Sequence, residues 1–513
     1  MWIADAARCR EIDREAIEEY GLTTETLVER AGEAVFRRLN DRFQEPMRIT
    51  VVGGKGNNGA DGYVAARLAA EHGYEVKILV AANYEDLNPV ARASLDRARP
   101  LCPSVSFLHD AGFALELEAI DDGDAVIDAV MGTGFTGELD WQLKPVLKAI
   151  NDSGIWVLSV DIPSGLNSDT GEADETGVEA DCTVTFGLPK LAFFDGDGPK
   201  HVGAWTVTDL GFSRELLDRE TGAFLVDADW LRPQLSTRTS YSHKGDHGSV
   251  LIVAGSEGMP GAAVLAARGA LRGGAGLVTV AAPPSVCQVL ANHLPEVILL
   301  PLGGSGEPAA ETIRSRGREY TVGVFGPGMG TRDEAESLLA SIWSWWDLPA
   351  VIDADAINLV ARGLELPKGP RILTPHPGEM GRLLGKPAQS INANRFESAR
   401  HAANQYGGTV VLKGQYSLIA DAESPVAVNS TGNAGMATGG MGDVLSGVIA
   451  SLVGQGISPL LASVAGVYLH GAAADLCAAT IGGIGFTASE VADALPQARA
   501  KLSTWPESSP SSR

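Results

Sequence analysis

The run Asn429-Ser-Thr-Gly-Asn-Ala-Gly-Met-Ala-Thr-Gly-Gly-Met-Gly-Asp443 is where residue types and spacing most sharply specify chemistry. Gly439, Gly440 and Gly442 lead directly into Val444, Leu445, Val448, Ile449 and Leu452, which are apolar at helical spacing. A helix that starts on glycines leaves backbone N–H groups free to act as an anion hole. Such a hole stabilises charge on a transferring phosphoryl group, and Asp443 stands where it can take a proton from an attacking hydroxyl. An aspartate acting only as a helix cap needs no Gly-Gly-x-Gly-Asp run around it. Three other segments belong with this one. Ile372–Glu379 leaves a strand with His376 and Glu379, the ring held between Pro375 and Pro377; Val410–Ser417 ends a strand in Lys413 and Gly414, which suits phosphate; and Gly255-Ser256, Pro260–Ala263 and Gly326–Gly330 are further turns after strands. Together they outline one nucleotide-and-substrate cleft.

A second constellation lies nearer the amino terminus. Arg48–Gly62 reads as a strand, a glycine-rich turn and a helix whose inner face carries Val64, Ala65, Leu68 and Ala69. A βα turn of this kind offers free N–H groups and a positive dipole end to anions at the carboxyl edge of a sheet. One such turn is a weak signal. Two more segments end at the same predicted edge: Val126–Glu138, with Asp128 and a second glycine-rich loop, and Val157–Asn167, with Asp161 and Ser164. Carboxylates converging with two N–H-rich loops make a polar pocket rather than a set of caps.

The elements that must position these groups follow from the alternation of short β-rich runs with helical patterns, which predicts parallel sheets. The first series is 48–54, 75–80, 125–130, 156–163, 182–187 and 204–210, preceded by one or two helices over residues 5–40. Between about 214 and 248 no strand–helix unit fits, and the junction is expected near 225. The second series is 249–255, 276–281, 322–326, 350–353, 371–373 and 409–413, ending in long apolar helices. Two domains are also what 513 residues imply, because single cores saturate well below that length. The predicted spans are 1–220 and 225–502, with 503–513 a Ser/Pro-rich flexible tail. A net charge of −24 excludes a nucleic-acid or anionic-membrane surface, which would need clustered Lys and Arg. Five scattered cysteines without a CxxC pair read as reduced and mostly buried. No basic-then-apolar leader is seen, and no run reaches the ~18 apolar residues of a membrane span, so a cytoplasmic location is expected.

The Asn57–Gly62, Asp128–Glu138 and Asp161–Gly165 motifs, in that order, resemble the NAD(P)H-hydrate epimerase family over about residues 1–215. The resemblance implies a Rossmann-like three-layer domain in which Asn57, Asn58, Gly59, Ala60, Asp61, Gly132, Thr133, Gly134, Phe135, Thr136, Gly137, Glu138 and Asp161 bind the hydrated dinucleotide. It also implies a potassium ion held by Asn58, Asp128 and Ser164, with oxygen ligands suited to a hard cation. Ala60 stands where that family usually has Gly. Asp161 is the expected acid–base group. Residues 230–500 resemble the ribokinase-like superfamily, and its NAD(P)H-hydrate dehydratase branch most. Related kinases carry Thr-Pro-Asn-x-x-Glu where this chain has Thr374-Pro-His-Pro-Gly-Glu379, and the His favours the dehydratase. By that resemblance Ala262, Gly328, His376 and Asp443 contact the hydrate, while Lys413, Gly414, Gln415, Tyr416, Ser417 and Gly442 contact the nucleotide. Magnesium is expected through water near Glu379, with ADP as phosphoryl donor and ATP as the alternative. Ala434, Met441 and Ser417 depart from the branch without removing a reacting group. The implied partners are NADH and NADPH hydrates and ADP, in a homo-oligomer without nucleic acid or membrane. The rival reading is a small-molecule kinase fused to a non-catalytic Rossmann-like module, whose phosphorylated product would persist.

Overall fold

The computed structural model describes residues 1–502 except 236, 237, 239, 240, 304, 305, 317 and 318, so the predicted tail lies outside the described residues. The chain divides into two compact units, Met1–Thr221 and the part from Gly222 onward.

The first unit is built on strands β1 (Arg48–Gly53), β2 (Glu75–Val80), β3 (Ser104–Phe107), β4 (Ala125–Ala129), β5 (Trp156–Val160), β6 (Cys182–Phe186) and β7 (Ala204–Thr208). Their order is β3-β2-β1-β4-β5-β6-β7, and every pair is parallel. This is the doubly wound, Rossmann-like arrangement, whose order reverses between β1 and β4. The strands read as unbroken apolar runs because helices cover both faces: Val51 packs with Val64 and Val80 on one side, Val52 with Leu79 and Val126 on the other. Before the sheet come α1 (Ala6–Glu18) and α2 (Thr24–Arg42), started by the side chains of Asp5 and Thr23, which accept from Arg8 N and Thr26 N.

The glycine-rich run after β1 is shorter as a turn than its sequence suggests, because α3 (Asn57–Glu71) already begins at Asn57. Close packing forces this: a Cβ on Gly59 would lie 2.0 Å from the carbonyl oxygen of Gly54. The helix start therefore sits directly on the turn at the switch point, where Val52 of β1 pairs with Asp128 of β4.

The second unit contains β8 (Ala223–Val226), β9 (Ser249–Val253), β10 (Leu277–Ala282), β11 (Ile298–Pro301), β12 (Val322–Phe325), β13 (Ala350–Ile352), β14 (Arg371–Leu373), β15 (Thr409–Leu412), β16 (Leu418–Ala420) and β17 (Val426–Asn429). Within the unit the order is β8-β17-β16-β15-β14-β13-β12-β9-β10-β11, antiparallel only at β15–β16 and β16–β17. β8 and the short helix Ala228–Leu231 fall where no strand–helix unit was expected. β8 has four residues and a partner, β17, some two hundred positions away, so local periodicity carries no trace of it.

Two helices control the site. α4 (Pro260–Gly273) packs against α6 (Met441–Gly454) at backbone distance, since a Cβ on Gly447 would meet Ala266 O at 2.0 Å. Between them in sequence lies α5 (Pro377–Leu384), and after them α7 (Pro459–Thr480). By length and composition α7 could cross a bilayer, contrary to the expectation that no segment reaches that limit, but 67% of its apolar window is buried inside the protein. A core helix of a large α/β unit is apolar all round for that reason. All five cysteines are free, and four of them are buried.

Candidate active sites

In the first unit a cavity of about 870 Å³ opens at the carboxyl edge of the sheet, beside the switch point. Asn57, Asn58 and Asp61 reach it from the start of α3, Gly132, Thr133, Gly134 and Phe135 from the loop after β4, and Asp161 from the end of β5. Gly59 and Ala60 do not line it; they are buried beneath, where α3 packs on the turn. Thr136, Gly137 and Glu138 are exposed and lie outside the lining.

Behind the wall, Asp128 is fully buried and accepts from Ser164 Oγ at 2.6 Å, Ser159 Oγ at 2.8 Å and Ser164 N at 2.9 Å. Burial pushes its carboxyl above the usual range while these hydrogen bonds pull it back. Met131 N donates to Ser164 Oγ at 2.9 Å, and Asn58 Nδ2 donates to Met131 O at 2.8 Å. The three residues expected to hold potassium are thus joined in one chain of bonds, and their side-chain oxygens with Met131 O form a donor set suited to a hard cation.

Asp161 holds a left-handed backbone, φ 64°, which costs a non-glycine residue about 1–3 kcal/mol. Its Oδ1 accepts from Thr185 Oγ1 at 3.0 Å and lies 2.8 Å from Lys190 Nζ. Lys190 is 2% exposed and also donates to Thr185 Oγ1, Phe186 O and Leu188 O. Burial, the largest single influence, pulls this ammonium down, but Asp161 together with Cys9 and Asp13 holds the group above its ordinary value. Asp61 is pushed well above the carboxylate range by burial first, then by Asp161 and Asp13. The sequence reading assigned nothing to Lys190. Unlike Lys413, which directly follows β15 and precedes Gly414, Lys190 stands four residues beyond the end of β6, so no local signal singles it out.

In the second unit Lys413 Nζ lies 2.9 Å from Asp353 Oδ1 and 3.8 Å from Glu379 Oε2, and Ser446 Oγ donates to Asp353 Oδ2 at 2.6 Å. Burial lowers the Lys413 ammonium, yet Asp353 and Glu379 hold it charged. Asp353 had been read as a strand end and given no role; it is the buried counter-ion of this site. Gly440, at φ 88°, caps α6, so the N–H groups of Met441, Gly442 and Asp443 precede the first helical bond, Val444 N to Gly440 O. A Cβ on Gly442 would lie 3.3 Å from Lys413 Nζ, which puts the ammonium beside the free end of the helix. Gly439 stands exposed just before it. Asp443 is pushed to about 7 by burial, then by Asp353, with Lys413 opposing and Asp355 and Glu379 adding.

His376 is the N-cap of α5: Gly378 N donates to its Nδ1 at 3.0 Å, and Glu379 Oε2 accepts from His376 N at 2.8 Å. Burial, then Lys413 and Arg382, lower its pKa, leaving a neutral ring whose side chain is 51% exposed. Ala262 and Gly328 are neighbours, since a Cβ on Gly328 would lie 2.7 Å from the Ala262 methyl. Residues 413–417 form a tight loop in which Gly414 N donates to Ser417 Oγ and Tyr416 takes φ 52°; Arg395 donates to Gln415 O.

A family model described as "YjeF-related protein N-terminus" matches residues 24–192, and one described as "NAD(P)H-hydrate dehydratase" matches residues 250–497. Proteins named bifunctional NAD(P)H-hydrate repair enzyme are 38% identical in Moorella thermoacetica (97% of this chain, 96% of the relative) and 39% identical in Coxiella burnetii (94% and 96%). The chain belongs to the bifunctional NAD(P)H-hydrate repair enzymes. The Escherichia coli member of this repair-enzyme family is 35% identical over 96% of this chain and 92% of its own. Among solved structures, a ribokinase-like superfamily protein from Enterococcus faecalis is 27% identical with a TM-score of 0.51, covering 56% of this chain and 98% of its own, which identifies the fold of the second unit. An ADP/ATP-dependent NAD(P)H-hydrate dehydratase from Bacillus subtilis, crystallised with ATP and magnesium, is 32% identical with a TM-score of 0.49, covering 54% and 97%.

Proposed function

We propose that this repair enzyme interconverts the R and S hydrates of NADH and NADPH in its first unit and returns the S hydrate to the reduced dinucleotide in its second, at the expense of ADP. The observation that carries the reading is that each unit of this family member places a lysine–aspartate pair and a glycine-started helix at the carboxyl edge of its sheet, beside carboxylates shifted from their usual range.

The hydrate bears a hydroxyl on the ring carbon next to nitrogen. In the first unit the nitrogen lone pair expels that oxygen once it is protonated, leaving a planar C=N⁺ to which water returns on either face. Asp161, aimed into the cavity, moves the proton. In the second unit Asp443 accepts the hydroxyl proton as the oxygen attacks the terminal phosphorus of ADP; the P–O bond to AMP breaks, and the N–H groups of α6 with Lys413 stabilise the charge. The ring phosphate then leaves as the adjacent carbon loses a proton, which restores the dihydropyridine. Asn58, Asp128 and Ser164 would hold potassium, and Glu379, through water, would hold magnesium; when bound, these cations would supply positive charge against the phosphates. Free thiols fit a reducing compartment, and we place the chain in the cytoplasm.

The test is to incubate purified protein with mixed hydrates and ADP, ATP or neither, following the epimer ratio and the reduced-nicotinamide absorbance. Epimerisation should proceed without nucleotide and incorporate ¹⁸O from labelled water, and recovery should require ADP or ATP and release phosphate. A phosphorylated dinucleotide that accumulates, or an epimer ratio that never moves, refutes the reading.

A further inference from the structure

Asp13 lines the cavity of the first unit, and neither the motifs nor the chemistry above employs it. Cys9, Asp13 and Ile17 follow one another at four-residue spacing along α1 and all line the cavity. That face is fixed from two sides. Ile12 and Ala16 are buried against Leu27, Leu188 and Phe212. Just before the helix, Ala4 N donates to Pro189 O at 2.9 Å and Leu191 N to Ala4 O at 3.1 Å, so the backbone on both sides of Lys190 is bonded to the chain that begins α1. The helix carrying Asp13 and the loop carrying the Asp161 counter-ion are therefore one mechanical piece.

We propose that Asp13 is the second proton-transfer residue of the epimerisation, exchanging acid and base roles with Asp161. The inference rests on the epimerase reading. For one epimer Asp13 gives its proton to the departing oxygen: the C–O bond breaks, its electrons leave with water, and the ring nitrogen's lone pair forms C=N⁺. Water then adds to the carbon, the nitrogen recovers its pair, and the surplus proton passes to Asp161. The reverse reaction uses the same groups in exchanged roles, and cavity water restores the proton between turnovers in one direction.

The electrostatics suit this division. Asp13 faces the open cavity, so solvent reaches it, yet the protein around it still removes enough bulk water to raise its carboxyl to about 6. Burial is the main cause; Asp161 adds to it and Lys190 opposes it. Cys9 and Asp61 also face the group. A value near neutrality lets one carboxyl serve as donor and acceptor in turn, whereas burial holds Asp61 well above the ordinary carboxylate range. Cys9 is pushed up to about 11 by burial and stays a thiol.

The test compares the wild-type chain with Asp13→Asn and Asp13→Glu, each assayed for epimerisation without nucleotide and for dehydration of the isolated S hydrate. Asparagine keeps the shape and polarity, so Asp13→Asn should slow epimerisation by about 10²–10⁴-fold and leave dehydration unchanged. The ionisation near 6 in the epimerisation profile should vanish in Asp13→Asn and return, with at least about a tenth of the rate, in Asp13→Glu. The proposal falls if Asp13→Asn epimerises within about threefold of the wild type, if that ionisation persists in it, or if the Glu variant is as slow as the Asn one. A wild-type chain that fails to epimerise would instead remove the underlying function.

Discussion

Asp443→Asn should give a chain that is catalytically dead in its second unit and more stable there. The wild-type carboxyl is moved from the usual 3.8 to about 7, so between those values the folded state holds a proton that the unfolded chain has released. Stability linked to this group is fully present below pH 3.8 and is lost as pH rises through about 7. The gap of about three units, at about 1.36 kcal/mol each, sets a ceiling of about 4 kcal/mol. Water at the open helix start screens part of it, so roughly 1–3 kcal/mol is expected at pH 8 and close to nothing at pH 4. Urea melts followed by hydrogen exchange in α6 and α7 peptides isolate the second unit from the first. Turnover should fall by about 10²–10⁴-fold, and kcat/KM of the wild type should drop below an ionisation near 7. An Asn variant no more stable than the wild type at pH 8, or equally stabilised at pH 4 and 8, would refute the buried-charge argument; one that still turns over would refute the base.

Three other substitutions probe the packing under each site. Gly442→Ala puts a methyl 3.3 Å from an ammonium pinned by Asp353, and should weaken ADP binding roughly tenfold, about 1.4 kcal/mol, by nucleotide titration. Gly59→Ala drives a Cβ to 2.0 Å from Gly54 O; it should destabilise the first unit by about 1–3 kcal/mol or more and abolish epimerisation while dehydration continues. Lys190→Met leaves Asp161 without its counter-ion and should cost about 3–5 kcal/mol, read as faster hydrogen exchange in β5 and β6.

Much of the strand–helix alternation was legible in the sequence because it is a local pattern: β2 and even the three-residue β14 occupy the residues read for them, and the apolar spacing after Gly442 is indeed a helix. What stayed hidden was non-local. β3, β8, β11, β16 and β17 went unread, and β8 finds its partner about two hundred residues later. The turn before α3 was read too long because glycine spells loop locally, whereas here it marks a helix packed onto backbone. The motifs named one half of each ion pair and missed the other: Asp161 without Lys190, Lys413 without Asp353. A counter-ion need only arrive in space, so it leaves no spacing rule in the chain.

The paired lysines explain why neighbouring carboxylates drift toward neutrality rather than away from it. An unpaired buried ammonium beside Asp443 or Asp13 would hold either carboxyl below its usual range. Asp353 at 2.9 Å and Asp161 at 2.8 Å cancel most of that positive field, so desolvation decides the outcome and moves Asp443 to about 7 and Asp13 to about 6. The lysine is still there for an incoming phosphate or oxyanion, because burial has not stripped its proton. The same pairing demands rigid placement of both partners. Among the described residues, the three non-glycine positions with left-handed φ are Asp161 itself, Ala354 next to Asp353, and Tyr416 in the Lys413 loop. Backbone strain of about 1–3 kcal/mol at each is held by the surrounding fold. Its placement fits a protein that stores strain where a charge must be aimed, in two sheets of different topology.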